Sequence, residues 1–365
     1  MSWLRVAFCR FWAFSVLALL GACGEPQVRH FDADNYPERL SDWGLVVQQG
    51  DALAVHPDSS VYALNTALFS DYAKKLRTVY IPNGKQAQYH PDDTFAFPVG
   101  SVISKTFFYP IDANAAVLTQ TSWSGNPQQI DLDHHRLIET RLLVKQADGW
   151  DALPYVWSGD DAYLTITGAL QQLPTANGDS ITYLVPSKNQ CASCHATNHT
   201  SGLLLPIGPK ARHLNRVDPI HGDNQIQRWQ RHGKLTGVTL PLPANAAMDD
   251  DSADVAHRAR SYLDINCGHC HNPHGAADTS GLLLNYAQHP LDKMGFCKPP
   301  IAAGSGSGGR LYSIVPGHAE QSILSYRLRS TKAAAMMPEL GRTLAHQEGI
   351  ELIDEWINSL SGECL

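Results

Sequence analysis

Leu137-Ile138-Glu139-Thr140-Arg141-Leu142-Leu143-Val144 alternates in character: Ile138, Thr140, Leu142 and Val144 fall on one side of an extended chain, and Glu139, Arg141 and Leu143 on the other. A sustained period of two is the mark of a strand with two unlike faces. On both sides of this stretch, short β-branched segments recur at 77–81, 100–108, 155–158, 162–167 and 181–185, separated by Gly, Pro, Asn and Asp. Residues 31–202 are therefore expected to form a mostly antiparallel β domain, a sandwich or a barrel.

After Gly202 the pattern changes. Residues 203–251 read as a loop-rich linker that contains one amphipathic segment, 224–233, and ends in the acidic Asp249, Asp250 and Asp251. Ser252 is placed to cap a helix over 253–266, with Val255, Ala259, Tyr262 and Leu263 on one face. At the far end, 347–360 brings Ile350, Ile353, Trp356, Ile357 and Leu360 to helical spacing, with Glu348 and Glu351 near the positive end of the helix dipole. Residues 252–365 are expected to be an all-α domain, which makes the whole chain α+β and multidomain.

The first residues address the compartment. Arg5 and Arg10 flank an apolar run over 11–20 that is too short to span a bilayer, so 1–22 read as a signal peptide. Leu20-Gly21-Ala22-Cys23 resembles a bacterial lipobox, which implies that Cys23 carries the acyl chains and that 23–30 form a tether. Gly24 resembles the residue that follows the cysteine in lipoproteins sorted to the outer membrane. The implied place is the bacterial cell envelope, facing the periplasm, with membrane contact through the lipid. A net charge of −7 without a long basic run excludes the electrostatic footprint of a nucleic-acid partner.

The chemistry sits in the cysteines. Cys191-Ala192-Ser193-Cys194-His195 and Cys267-Gly268-His269-Cys270-His271 both fit CxxCH, the attachment signature of c-type heme. Residues three and four apart lie side by side on a helical turn, so two thioethers and one imidazole can serve the same porphyrin. A zinc site would need further ligands for each pair. Export and the repeated final histidine favour two covalently bound hemes c, with His195 and His271 on the irons. Thr200-Ser201-Gly202-Leu203-Leu204-Leu205 follows the first motif, and Thr279-Ser280-Gly281-Leu282-Leu283-Leu284 follows the second, an internal repeat. With Cys9 in the signal peptide and Cys23 lipidated, Cys297 and Cys364 are left, either as a disulfide or as two free thiols.

A helix entering CxxCH, followed by Met337-Pro338 and a closing apolar-faced helix, is similar to class I cytochromes c. That resemblance implies Met337 as the distal ligand of the second iron, with Met336 and Met294 as competitors. The stretch from Val315 to Leu328, VPGHAEQSILSYRL, together with Met336-Met337-Pro338-Glu339-Leu340-Gly341-Arg342, closely resembles a family of bacterial diheme c-type cytochromes over about 267–360. Phe97-Pro98-Val99-Gly100-Ser101-Val102-Ile103-Ser104-Lys105-Thr106-Phe107 and the later Gly149-Trp150 resemble the cytochrome P460 and β-type cytochrome c′ fold, in which the iron is open. Lys105 falls where P460 proteins carry a heme-crosslinked lysine, while on a strand read by itself it is a surface residue. For the first iron, His199, His213, His221, His232 and Met248 are all candidates, and bis-histidine, His/Met and open coordination remain.

The expected function is single-electron transfer between redox protein partners, a periplasmic dehydrogenase among them. The alternative is a heme enzyme whose open first iron acts on a peroxide or a nitrogen oxide. No Ser/His/Asp order or phosphate loop supports hydrolase or transferase chemistry.

Overall fold

In the computed structural model the described residues are 27–364, apart from 120–122, 124, 127, 219, 288–290 and 302; the signal segment and Cys23 lie outside them. The strands run in chain order as β1 (Val46–Gln49), β2 (Ala52–Val55), β3 (Ser59–Val61), β4 (Lys74–Tyr80), β5 (Ala87–Gln88), β6 (Val102–Pro110) and β7 (Gln129–Asp131). They continue as β8 (His135–Lys145), β9 (Trp150–Ser158), β10 (Asp161–Leu164), β11 (Ala169–Pro174), β12 (Ser180–Val185) and β13 (Leu235–Thr236).

The alternating stretch becomes β8, a central strand of an antiparallel sheet ordered β10-β9-β8-β6-β4-β3. Its period of two separates two cores. Leu142 and Val144 join Leu76, Val102, Phe108 and Leu153 on one face, where the three-stranded sheet β1-β2-β7 brings Val46, Leu53 and Ile130. Leu143 turns the other way, joins Ile103, Val79 and Ala152, and receives the segment that carries the first CxxCH. The edge strands β10 and β3 are not paired with each other, so the sheet stays open and does not form a barrel. Each large side chain sealed here, such as Phe108, contributes roughly 1.5–3 kcal/mol of transfer free energy.

The helices are α1 (Lys188–His195), α2 (Ala211–Leu214), α3 (Gln225–Arg231), α4 (Val255–Asn266), α5 (Ile323–Arg329) and α6 (Gln347–Ser359). Residues 203–251 pack closely: Ala211, Leu214, Ile226, Trp229 and Leu235 are buried in the core of the second sheet face. Asp254, not Ser252, caps α4, accepting from the amides of Ala256 and His257, while the Ser252 hydroxyl is spent on Asp250. Along α6, Ile350, Ile353, Trp356 and Ile357 are buried against Ala259, Tyr262 and Leu263 of α4 and Leu324 and Leu328 of α5.

The C-terminal region is not an all-helical class I cytochrome domain, and the expected fold class is corrected here. Between α4 and α5 the chain runs through short 3-10 turns and loops, with isolated bridges from Phe296 to Ile314 and from Tyr312 to Ser322. Gly268, Pro273, Gly275, Gly281, Gly295, Pro299 and Pro300 interrupt any helical register there, through missing donors and backbone freedom. The region is also sewn to the β part: the buried Asp71 carboxylate accepts from the amides of Thr343 (2.8 Å) and Leu344 (2.7 Å), and Asn266 accepts from Phe69.

Candidate functional site

The first motif occupies α1. A capping box starts the helix: the Ser187 hydroxyl accepts from the Gln190 amide, and the Gln190 side chain accepts from the Ser187 amide. One turn later Cys191, Cys194 and His195 lie together. The Nδ1 of His195 is 2.8 Å from the Leu205 carbonyl, and the Leu205 amide donates to the His195 carbonyl at 2.8 Å. A ring nitrogen facing a carbonyl carries the proton, so Nε2 keeps its lone pair. Burial lowers the pKa of His195 to about 4, which keeps the ring neutral.

The second motif follows α4 directly, with Cys267 at the helix end and the His271 amide donating to the Cys267 carbonyl at 2.9 Å. His271 repeats the arrangement: its Nδ1 lies 3.0 Å from the Leu282 carbonyl, and the Leu284 amide donates to the His271 carbonyl at 2.8 Å. Burial again lowers the ring's pKa, to about 4. Leu205 and Leu284 are the last residues of the two Thr-Ser-Gly-Leu-Leu-Leu repeats. The repeat thus ties each motif histidine to the loop that follows it.

The two motifs touch. Cys270 donates to the Ser193 carbonyl at 3.3 Å, and His199 donates from its amide to the His274 carbonyl at 2.8 Å. The Cys194 and Cys270 thiols are coupled: Cys270, with His269 adding to it, holds the Cys194 thiol well below its ordinary range, and the same coupling raises Cys270. His269 is buried, and its Nδ1 has no partner among the described residues.

Met337 lines a cavity of about 10 Å³ with Tyr262, Asn266, Leu328 and Ile350, beside the helix that leads to Cys267. Arg342 organises its loop. The buried guanidinium donates to the carbonyls of Met337, Leu344, Arg327 and Ser330, at distances from 2.7 to 3.1 Å. Met294 is fully buried core filler, and Met248 packs against the same core.

The candidates for the first iron are scattered over the structure. His199 turns its Nδ1 to the carbonyls of His274 and Gly275. His213 is held between Asn245 (3.2 Å) and Asp264 (3.4 Å). His221 is half-exposed beside Asp218, and His232 is exposed at the end of α3. Lys105, expected on the surface, instead points to the sheet face that receives α1, and its charge is felt at both Cys194 and His195.

Among the described residues, no three His, Cys, Asp or Glu side chains converge as a metal-ion site, so neither CxxCH is completed into a zinc ligand set. The four motif thiols are free, and Cys297 and Cys364 are joined as a disulfide. Free thiols and a neutral histidine with its outer nitrogen anchored fit what a covalent heme takes from a protein, since the porphyrin brings the other iron ligands. Comparison with known proteins adds no relative: no family model matches the chain, and no match was found among curated proteins or solved structures.

The sequence pointed to both motifs but not to Arg342, the histidine tethers or the turn of Lys105 inward. The repeat was the visible trace of the tethers.

Proposed function

We propose that the chain is an exported diheme c-type cytochrome that passes single electrons between redox protein partners, such as a periplasmic dehydrogenase, while anchored to the outer membrane through lipid on Cys23. The observation that carries this reading is the matched pair of motifs, each with free thiols and a carbonyl-held histidine, in direct contact with each other. Cys191, Cys194 and His195 would hold one heme and Cys267, Cys270 and His271 the other, with Met337 beside the second. The hemes supply the one-electron chemistry. The chain's own part is to anchor the imidazoles, exclude water and keep the two centres adjacent.

An open first iron is favoured by Lys105, which lies on the sheet face that receives the first motif, while His213 is held between Asn245 and Asp264 and Met248 packs against the C-terminal core. Pyridine hemochrome assay and carbon monoxide addition to the reduced protein test both points. Two hemes per chain with a carbon monoxide shift at one of them is the expected result. Absence of heme rejects the diheme reading, and refusal of carbon monoxide rejects the open iron.

A further inference from the structure

The face of the six-stranded sheet that receives the first motif carries an unusual charge arrangement. On adjacent strands Arg77 stands opposite Lys105, and Lys105 stands opposite Arg141. Lys75 joins them around one ring: its Nζ lies 5.4 Å from the Phe107 centroid, the Lys105 Nζ 5.1 Å and the Arg141 Cζ 4.4 Å. Like charges directly opposite each other on neighbouring strands destabilise a sheet.

Among the described residues one carboxylate meets this cluster, and it is already committed. Glu139 is fully buried, takes a bidentate contact from Arg141 at 2.7 and 2.5 Å, and accepts the Tyr183 hydroxyl at 2.7 Å. Lys75 has only the Ala73 carbonyl, at 3.1 Å, and no described residue accepts a hydrogen bond from the side chain of Lys105 or Arg77. Two guanidinium groups and two lysines, whose ammonium form burial disfavours (Lys105 is lowered to about 7), thus share one carboxylate among the described residues, and a nearby anion would favour the charged form of both lysines. The same face bears Ile103, Leu143 and Ala152, which pack with Cys191.

We propose that this cationic face is a subsite for a small inorganic anion beside the first motif. The anion supplies the missing counter-charge, and Lys105, with Arg77 next to it, offers the unused donors. The carboxylates of the first porphyrin fit less well, because the charges of Lys105 and Arg141 are felt at Cys191, and the thioether edge of a heme is remote from its carboxylate edge. The inference rests on the diheme reading.

The test uses the full holoprotein after its heme count is established, so that a count below two fails the diheme reading and leaves this question separate. Azide is titrated into the oxidised protein while the Soret band is followed, in the unaltered chain and in Lys105→Gln and Arg77→Gln. The proposal expects azide to bind at one heme and to bind at least tenfold more weakly in either variant that accumulates, with carbon monoxide affinity of the reduced protein changed less than twofold. Competition by nitrite against azide in the unaltered protein, with imidazole as the neutral comparison, reads the same preference without a substitution. Refusal of azide, equal affinity in the variants, or a potential shift at the first heme with unchanged azide affinity overturns the proposal.

Discussion

The Nδ1 of His195 faces the Leu205 carbonyl at 2.8 Å, ten residues along the chain, and the Leu205 amide closes the loop by donating to the His195 carbonyl. A paired contact of this kind fixes both the tautomer and the direction of the ring. Leu205→Pro removes the amide donor. The expected outcome is a heme still attached, with a changed spectrum and midpoint potential at one centre only, checked by redox titration. Identical potentials would show that the loop does not orient the ring.

Met337 and Arg342 form a second such unit. Met337→Ala is expected to retain two hemes and to lower the potential of one, because a thioether ligand raises it. Arg342→Ala, which deletes donors to four carbonyls, is expected to reproduce that shift and also to destabilise the fold by about 3 kcal/mol or more. Unchanged potentials in Met337→Ala, measured by the same titration, would move the ligand elsewhere.

Asp71 holds the C-terminal region to the sheet. Its buried carboxylate takes two amides, and its backbone sits at φ 49°, where Asn is tolerated and Ala is strained. Asp71→Ala should cost about 3 kcal/mol in urea unfolding, and Asp71→Asn distinctly less. Equal losses would mean that the carbonyl-type acceptor and the backbone preference do not matter.

The disulfide closes a long loop, with a sequence separation of 67 residues between Cys297 and Cys364. Chain entropy alone makes such a closure worth about 4 kcal/mol. Cys364→Ser is expected to lower the unfolding midpoint accordingly and to leave the heme count unchanged. A midpoint unmoved by Cys364→Ser would remove the disulfide from the stability account.

His213 is one of the buried histidines that contribute to the pH dependence. Burial lowers its pKa to about 4, although Asp264 pulls it up; Lys210 and Arg212 push it further down. Between pH 6.5 and 4 the unfolded chain binds a proton that the folded one refuses, so stability falls as pH falls through that window, by about 3 kcal/mol. His213→Asn should flatten this part of the stability curve. An unchanged slope would assign the effect to other groups.

The strands were legible because one face of each is apolar: the stretch at 137–144 lies within β8, and the segments at 77–81 and 100–108 overlap β4 and β6. The start of β8 at His135 was not, since it is set by pairing with β6. The C-terminal region departs from an all-helical domain because the two periodic helices, α4 and α6, flank a stretch whose Gly and Pro residues interrupt helix. Neither the contact between the motifs nor the gathering of Lys75, Arg77, Lys105 and Arg141 is written in any local pattern. Both arise where distant strands and loops meet, and charged residues on a strand read as solvent-facing until something covers them.

The pairing of the two motifs as heme sites is tested most directly by the heme stoichiometry of the purified protein, alongside the double variants Cys191→Ala/Cys194→Ala and Cys267→Ala/Cys270→Ala. Two hemes per chain, falling to one in each double variant, is the result expected. No heme, or a single heme in the unaltered chain, would contradict the account.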